Sequence, residues 1–195
     1  MLTCLAASVA EAGLAAGSLT CPSCGSGRLA RWGYGRERTV TLLGGRRVAV
    51  RPRRARCTAC EVTHVIVPAW CVPRRAHGLE VIGTAAAAAL AGHGHRAIGP
   101  ELGVPAATVR GWLLRLRARA EQLRCHALGQ LAVFGGDRAD HLGPSGSPLG
   151  DALAALAAAV DAVRRRLPGY GGPGLIWPLL GQLGLAAHLT PARGG

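Results

Sequence analysis

The sequence predicts an α+β fold, with a small antiparallel sheet in the first third of the chain and helices in the rest. Three observations carry this. Two Cys-x-x-Cys pairs, Cys21/Cys24 and Cys57/Cys60, stand 32 residues apart. Between them, apolar and polar residues alternate on both sides of Gly44-Gly45, the pattern of a β-hairpin. From His77 onward the apolar period lengthens to that of helices.

Residues 1–18 form an apolar segment. Met1 to Thr20 has no basic start, contains Glu11 and offers no small-residue cleavage site, so it does not read as a secretory signal. A frayed or loosely docked helix is expected there.

Residues 19–70 read as a zinc ribbon. A two-residue gap lets a tight turn aim both thiolates at one ion, and two such turns supply the four-sulfur shell that structural zinc prefers. One Zn2+ held by Cys21, Cys24, Cys57 and Cys60 is expected to hold the fold, with no position left for a catalytic water. Gly25 suits the first turn, where a left-handed residue lets backbone N–H groups point at sulfur. Cys-Pro-x-Cys is also a spacing of thiol oxidoreductases, but those motifs open a helix, and no helical pattern follows Cys24. His64 is an alternative ligand where four cysteines already suffice. Cys4, Cys71 and Cys125 have no partner at ligand spacing and read as small buried or incidental residues.

Parity fixes the hairpin inside the ribbon. A two-residue Gly-Gly loop pairs Val40 with Ala49 and Leu42 with Arg47, whereas a three-residue loop of Leu43, Gly44 and Gly45 pairs Val40 with Val48. The second is expected, because it keeps valine opposite valine. Arg28 to Tyr34 and Arg53 to Cys57 flank the hairpin as extended segments.

Residues 76–125 read as a helix-turn-helix domain. Leu79, Ile82, Ala86 and Leu90 mark the apolar face of a first helix that stops at Gly92 and Gly94. Ile98, Leu102, Gly103, Val104, Val109, Trp112 and Leu113 then follow the pattern of two short helices crossing over a turn. Pro100 fits a helix only in its first turn, so the first of this pair is expected to start near Ile98 or to kink. Pro105 stands where a Ser or Thr cap is usual. On the second helix, Val109, Trp112, Leu113 and Leu116 define the buried side, and Ala107, Gly111, Leu114 and Ala118 the opposite one.

Residues 126–148 are expected to be a linker, Gly-, Pro- and Ser-rich from 135, and residues 149–190 a helical tail. Ser147-Pro148 start a helix whose Leu149, Leu153, Leu156, Val160, Val163 and Leu167 form an a/d stripe. Pro168-Gly169 stop it, and Leu175 to Leu189 offers a second apolar helix. The stripe either packs within the chain or joins a second copy, so a homodimer through 149–167 is one expected arrangement.

The charge of +13 is uneven. Residues 28–75 hold twelve Arg against Glu37 and Glu61, giving +10, and residues 93–125 add +4. Such concentration points to a polyanion partner, since each phosphate neutralised releases condensed counterions. The expected partner is double-stranded DNA, with Arg47, Arg51, Arg53, Arg54 and Arg56 anchoring phosphates. Ala107, Thr108, Arg110, Gly111, Arg115 and Arg117 would then meet bases, a small-residue face with arginine margins lying close in a major groove. The alternative is an RNA-binding or protein-interaction module in which Trp32, Tyr34 and nearby arginines stack on unpaired bases. Gly174 to Leu189 falls short of a membrane span and is broken by Pro178 and Gln182. A cytoplasmic protein with neither membrane partner nor small-molecule substrate is expected.

Cys21-Pro-Ser-Cys-Gly, the Arg-rich hairpin, Cys57-Thr-Ala-Cys60 and Leu102-Gly-Val-Pro-Ala-Ala-Thr-Val-Arg-Gly-Trp112 resemble the zinc-ribbon and helix-turn-helix region of insertion-sequence transposases. They are more closely similar to small proteins of high-GC bacteria built from those two modules. The resemblance covers residues 19–124. It implies zinc on the four cysteines and DNA contact at Thr108, Arg110 and Arg115. Transposases add a nuclease domain with three metal-binding carboxylates. Here the acids after Cys125 are Asp137, Asp140, Asp151 and Asp161, and no strand pattern carries them, so no enzyme activity is expected.

Overall fold

The computed structural model describes residues 2–4, 6–135, 142–167, 169 and 176–182. The fold is α+β. Strand β1 (Leu2–Cys4) and helix α1 (Ala7–Ala15) come first, then β2 (Leu29–Tyr34), the hairpin β3 (Arg38–Thr41) and β4 (Arg47–Val50), β5 (Arg53–Cys57) and β6 (Thr63–Pro68). Among the described residues six helices follow: α2 (Leu79–Leu90), α3 (His95–Leu102), α4 (Ala106–Ala118), α5 (Ala120–Gly135), α6 (Pro148–Arg166) and α7 (Ile176–Gln182).

The main sheet runs β1-β6-β5-β2, and β3-β4 form a second, two-stranded sheet. The amino-terminal segment is part of this architecture, contrary to the loosely docked helix expected for 1–18. Leu2, Thr3 and Cys4 pair in parallel with Ile66, Val67 and Pro68, and the Cys4 Sγ–H donates to the Val67 carbonyl at 3.6 Å. The reason lies in β6, a β-branched run that would otherwise expose an unpaired edge. Helix α1 closes the face beneath, burying Ala10 and Leu14 with Leu29, Ala55, Cys57 and Ile66.

In the hairpin Val40 faces Val48, the register that side-chain parity requires. The Leu42 N–H reaches the Arg46 carbonyl at 2.7 Å to close the loop. Val40 and Val50 join Val67 and Cys71 in a small core between the two sheets. A register shift between Arg31 and Tyr34 bends β2 at Gly33.

Helix α2 buries Leu79, Ile82 and Ala86 of its expected face, widened by Val81 and Ala85, but not Leu90, which is 44% exposed at the carboxyl end. An alanine-rich helix has a poorly marked face, so its neighbours decide how far the buried side extends. Helix α3 starts at His95, not near Ile98, and holds Pro100 internally. The proline removes the donor for the Arg96 carbonyl, a single lost bond in an eight-residue helix. Gly103 ends α3 at φ 64°, a left-handed cap that lets the Val104 N–H return to the Gly99 carbonyl at 2.9 Å. Gly99 allows the close crossing, since a Cβ there would lie 2.8 Å from the Val104 carbonyl oxygen and 3.1 Å from Ala106 Cα. On α4 the buried residues are Val109, Trp112, Leu113 and Leu116, as the period demands. His77 meets the Trp112 ring edge-on, 5.2 Å between centroids.

The expected linker begins too early. Residues 126–135 belong to α5, which also encloses Cys125. Leu123, Ala127 and Leu131 of α5 share a core with Leu149, Leu156, Val160 and Val163 of α6, so most of the α6 stripe is covered within its own chain. Ser147 caps α6 by accepting the Gly150 N–H at 3.1 Å. Helix α7 lies on α2, where Trp177 occupies the space above Gly83. This apolar core extends from Val72 to Leu179, joining helices expected as separate units. Asp137, Asp140 and most of the second tail helix lie outside the described residues. Among the described residues no helix is long and apolar enough to cross a membrane.

Candidate metal centre

Two turns bring the four cysteines together. Cys21 and Cys24 sit in the turn between α1 and β2, and Cys57 and Cys60 in the turn from β5 to β6. Because Leu29 pairs with Cys57 across β2 and β5, the sheet register places one turn over the other. The four sulfurs lie within 4.8 Å of one another, with Cys21–Cys60 and Cys24–Cys57 each 3.7 Å apart. Sulfurs about 2.3 Å from a tetrahedral ion stand about 3.8 Å apart, so the spacing fits a four-thiolate metal site and the donor set fits zinc.

Backbone N–H groups surround the sulfurs. Ser23 and Gly27 donate to Cys21 and Cys24 at 3.4 and 3.3 Å, while Ala59 and Cys60 donate to Cys57 at 3.3 and 3.4 Å. Gly25, at φ 71°, lets its N–H reach the Cys21 carbonyl at 2.9 Å. The Gly27 N–H, with help from Ser26, holds the Cys24 thiol down to about 6. The Cys60 N–H likewise lowers Cys57. For Cys60 the Val62 N–H favours the thiolate, but burial and the neighbouring sulfurs outweigh it and push the group up to about 12. Crowded thiolates repel one another until a cation joins them.

Two neighbours complete the centre. His64 supports a ligand instead of replacing one: it is buried on β6, with Nε2 3.3 Å from Cys21 Sγ. Gly27 is a residue that spacing alone does not reveal. A Cβ there would collide with Cys57 Sγ, so only glycine lets the first turn close over the second. The signal was present as Cys24-Gly-Ser-Gly27, but one of those glycines serves the turn and the other the close approach. Cys4, Cys71 and Cys125 stand outside the cluster. Burial raises the first two thiols, Cys71 to about 11.

The basic residues are divided. Arg53 is turned inward, pairing with Glu11 at 2.9 Å, donating to the Gly33 carbonyl at 3.2 Å and lying 4.3 Å over the Tyr34 ring. Such internal ties take Arg53 away from the phosphate-anchoring role expected of it. Arg56 pairs with Glu61 at 3.0 Å, Arg51 lies 5.0 Å over Tyr34, Arg47 is exposed and Arg54 half-buried. On α4, Ala107, Arg110, Leu114 and Arg117 are exposed, whereas Thr108, Gly111 and Arg115 are half-buried. The Arg115 guanidinium folds back over Gly111, 3.1 Å from where a Cβ would stand. The small-residue face expected there is therefore partly roofed by arginine.

Residues 21–112 match the model of a family described as a domain of unknown function (DUF6431). The match runs from Cys21 to Trp112, spanning β2 to β6, the four thiols, α2, α3 and the first half of α4, and leaving out β1 and α1. Neither a curated protein nor a solved structure matches the chain.

Proposed function

We propose that the chain is a zinc-dependent, non-catalytic protein that binds duplex DNA, as a transcription regulator or a transposase-derived DNA-binding protein acting in the nucleoid. On this reading the four-cysteine sheet is a zinc ribbon, and α3 and α4 are a helix-turn-helix whose second helix enters the major groove. One observation carries it. Around the face opposite its buried stripe, α4 sets the exposed Arg110 and Arg117 on one margin and the half-buried Thr108 and Arg115 on the other, with Ala107 and Leu114 exposed between them. A helix fixed by Trp112 and carrying arginines on its free side is built to reach guanine edges and phosphates. The likeness to the DNA-binding region of transposases supports the same reading.

The zinc would hold the ribbon. Among the described residues the four cysteines are the one grouping of metal-ligating side chains, and their closed sulfur shell favours structural over catalytic metal. Asp151 accepts the Ser145 N–H at the start of α6 and Asp161 lies on the same helix beside Arg164, positions that serve the helix.

Selection of bound duplexes from a random pool by the zinc-loaded chain, at near-physiological salt with excess competitor, tests this. An enriched motif is expected. A single asymmetric site is expected over a palindrome, because the α6 stripe is already covered within the chain. Absence of any enriched motif overturns sequence-specific recognition.

A further inference from the structure

The main sheet has one covered face and one open face. Leu29, Ala55, Cys57, His64 and Ile66 are buried, in keeping with their common side in the strand register. Alternation sends Ala30, Trp32, Arg54, Arg56, Thr63 and Val65 to the other side, where each is exposed or half-buried. The hairpin closes this second face only beyond Val65, at Val67, which is buried with Val40 and Val50. The end nearest the metal turns stays open.

At the centre of the open end is an indole. Trp32 is 49% exposed on the edge strand β2, whereas Trp112 is 1% exposed in the helical core. The Arg56 guanidinium lies 4.7 Å over the Trp32 ring. Arg56 is itself fixed by Glu61, through the 3.0 Å ion pair and an Nε–H donated to the Glu61 carbonyl at 3.2 Å. Glu61 directly follows Cys60, so the metal turn positions the arginine and the arginine steadies the indole. A large ring kept half in water on so basic a segment gains little for folding. It is well arranged to stack a planar partner.

We propose that this face binds single-stranded nucleic acid, an unpaired base stacking on the part of the Trp32 ring that Arg56 leaves exposed while Arg54 takes a flanking phosphate. The surrounding +10 of residues 28–75 supplies the attraction, and stacking on an aromatic ring is tolerant of base identity. The surface is distinct from α4. Its natural ligand is therefore an unpaired stretch, alone or beside a duplex.

The test uses the full zinc-loaded chain and three fluorescent probes: a blunt duplex, the same duplex with a thymidine overhang, and oligothymidine alone, with oligouridine to compare RNA. The overhang is expected to bind roughly tenfold tighter than the blunt duplex, the scale of one stacked base. Trp32→Ala should erase that gain and leave blunt-duplex affinity and metal content unchanged, while Trp32→Phe should keep most of it. No gain in the parent chain, or a gain that survives Trp32→Ala, overturns the proposal. Equal binding of polyglutamate and oligothymidine, both indifferent to Trp32→Ala, also overturns it, in favour of an acidic protein partner. Oligothymidine binding that depends on Trp32, with no blunt-duplex binding at all, sustains it while removing the α4 reading.

Discussion

Gly27 and His64 show how closely single residues control the metal site. Adding one methyl at Gly27 drives it into Cys57 Sγ, so Gly27→Ala should abolish tight metal binding while the helices remain folded; metal content beside the circular dichroism spectrum measures both. His64→Ala removes the 3.3 Å contact to Cys21 without removing a ligand, and should cost roughly 10- to 100-fold in metal affinity, read by competition with a chelating dye. Protons compete with the metal in a definite direction. In the metal-free fold Cys24 titrates at about 6, below its ordinary value, so its thiolate stabilises that fold at high pH and the contribution is lost as pH falls through about 6. Cys60, raised to about 12, still carries its proton at neutral pH and must release it to the ion. Metal affinity should therefore fall with decreasing pH, with an added loss near 6; a pH-independent affinity would contradict four-thiolate ligation.

At the scale of elements, α4 is the helix on which both stability and recognition are proposed to depend. Trp112→Ala should cost about 3–5 kcal/mol in urea unfolding, because the indole is fully buried in the helical core and its loss leaves a large cavity. Arg110→Ala and Arg117→Ala should leave that stability unchanged and each lose about 1–3 kcal/mol of discrimination between preferred and altered sites. The elements differ in how clearly the sequence announced them. The β3-β4 register was legible because a slip of one residue would set Val40 opposite Ala49 and Leu42 opposite Arg47, and the buried side of α4 was legible because its apolar residues are large and sharply spaced. The four cysteines were legible from spacing alone. Helix α5 was not, since Gly129 and scattered apolar residues blur its period. Nor was β1, because a three-residue strand has no period of its own and is defined only by the β6 edge it pairs with. The α6 stripe was visible, but a stripe does not name its partner.

Across the whole molecule, the sheet core around Cys21 and Cys57 and the helical core around Trp112 are separate clusters. Chelation should thus unfold the sheet while much of the helical signal persists; an unchanged spectrum after verified metal loss would refute a structural role for the ion. Binding to duplex DNA should weaken linearly in log salt, and each arginine contact removed should flatten the slope by about 0.9.

The pairing of Leu2 with Ile66 sets an order of events during synthesis. Strand β1 leaves the ribosome before its partner β6 has been made, and must wait for it. Closing so long a loop is entropically slow. A metal ion that gathers Cys21 and Cys24 to Cys57 and Cys60 brings the distant segments near before β1 docks. A strand made so long before its partner settles only after that partner is in place, and chains lacking the ion would leave β1 open to proteases.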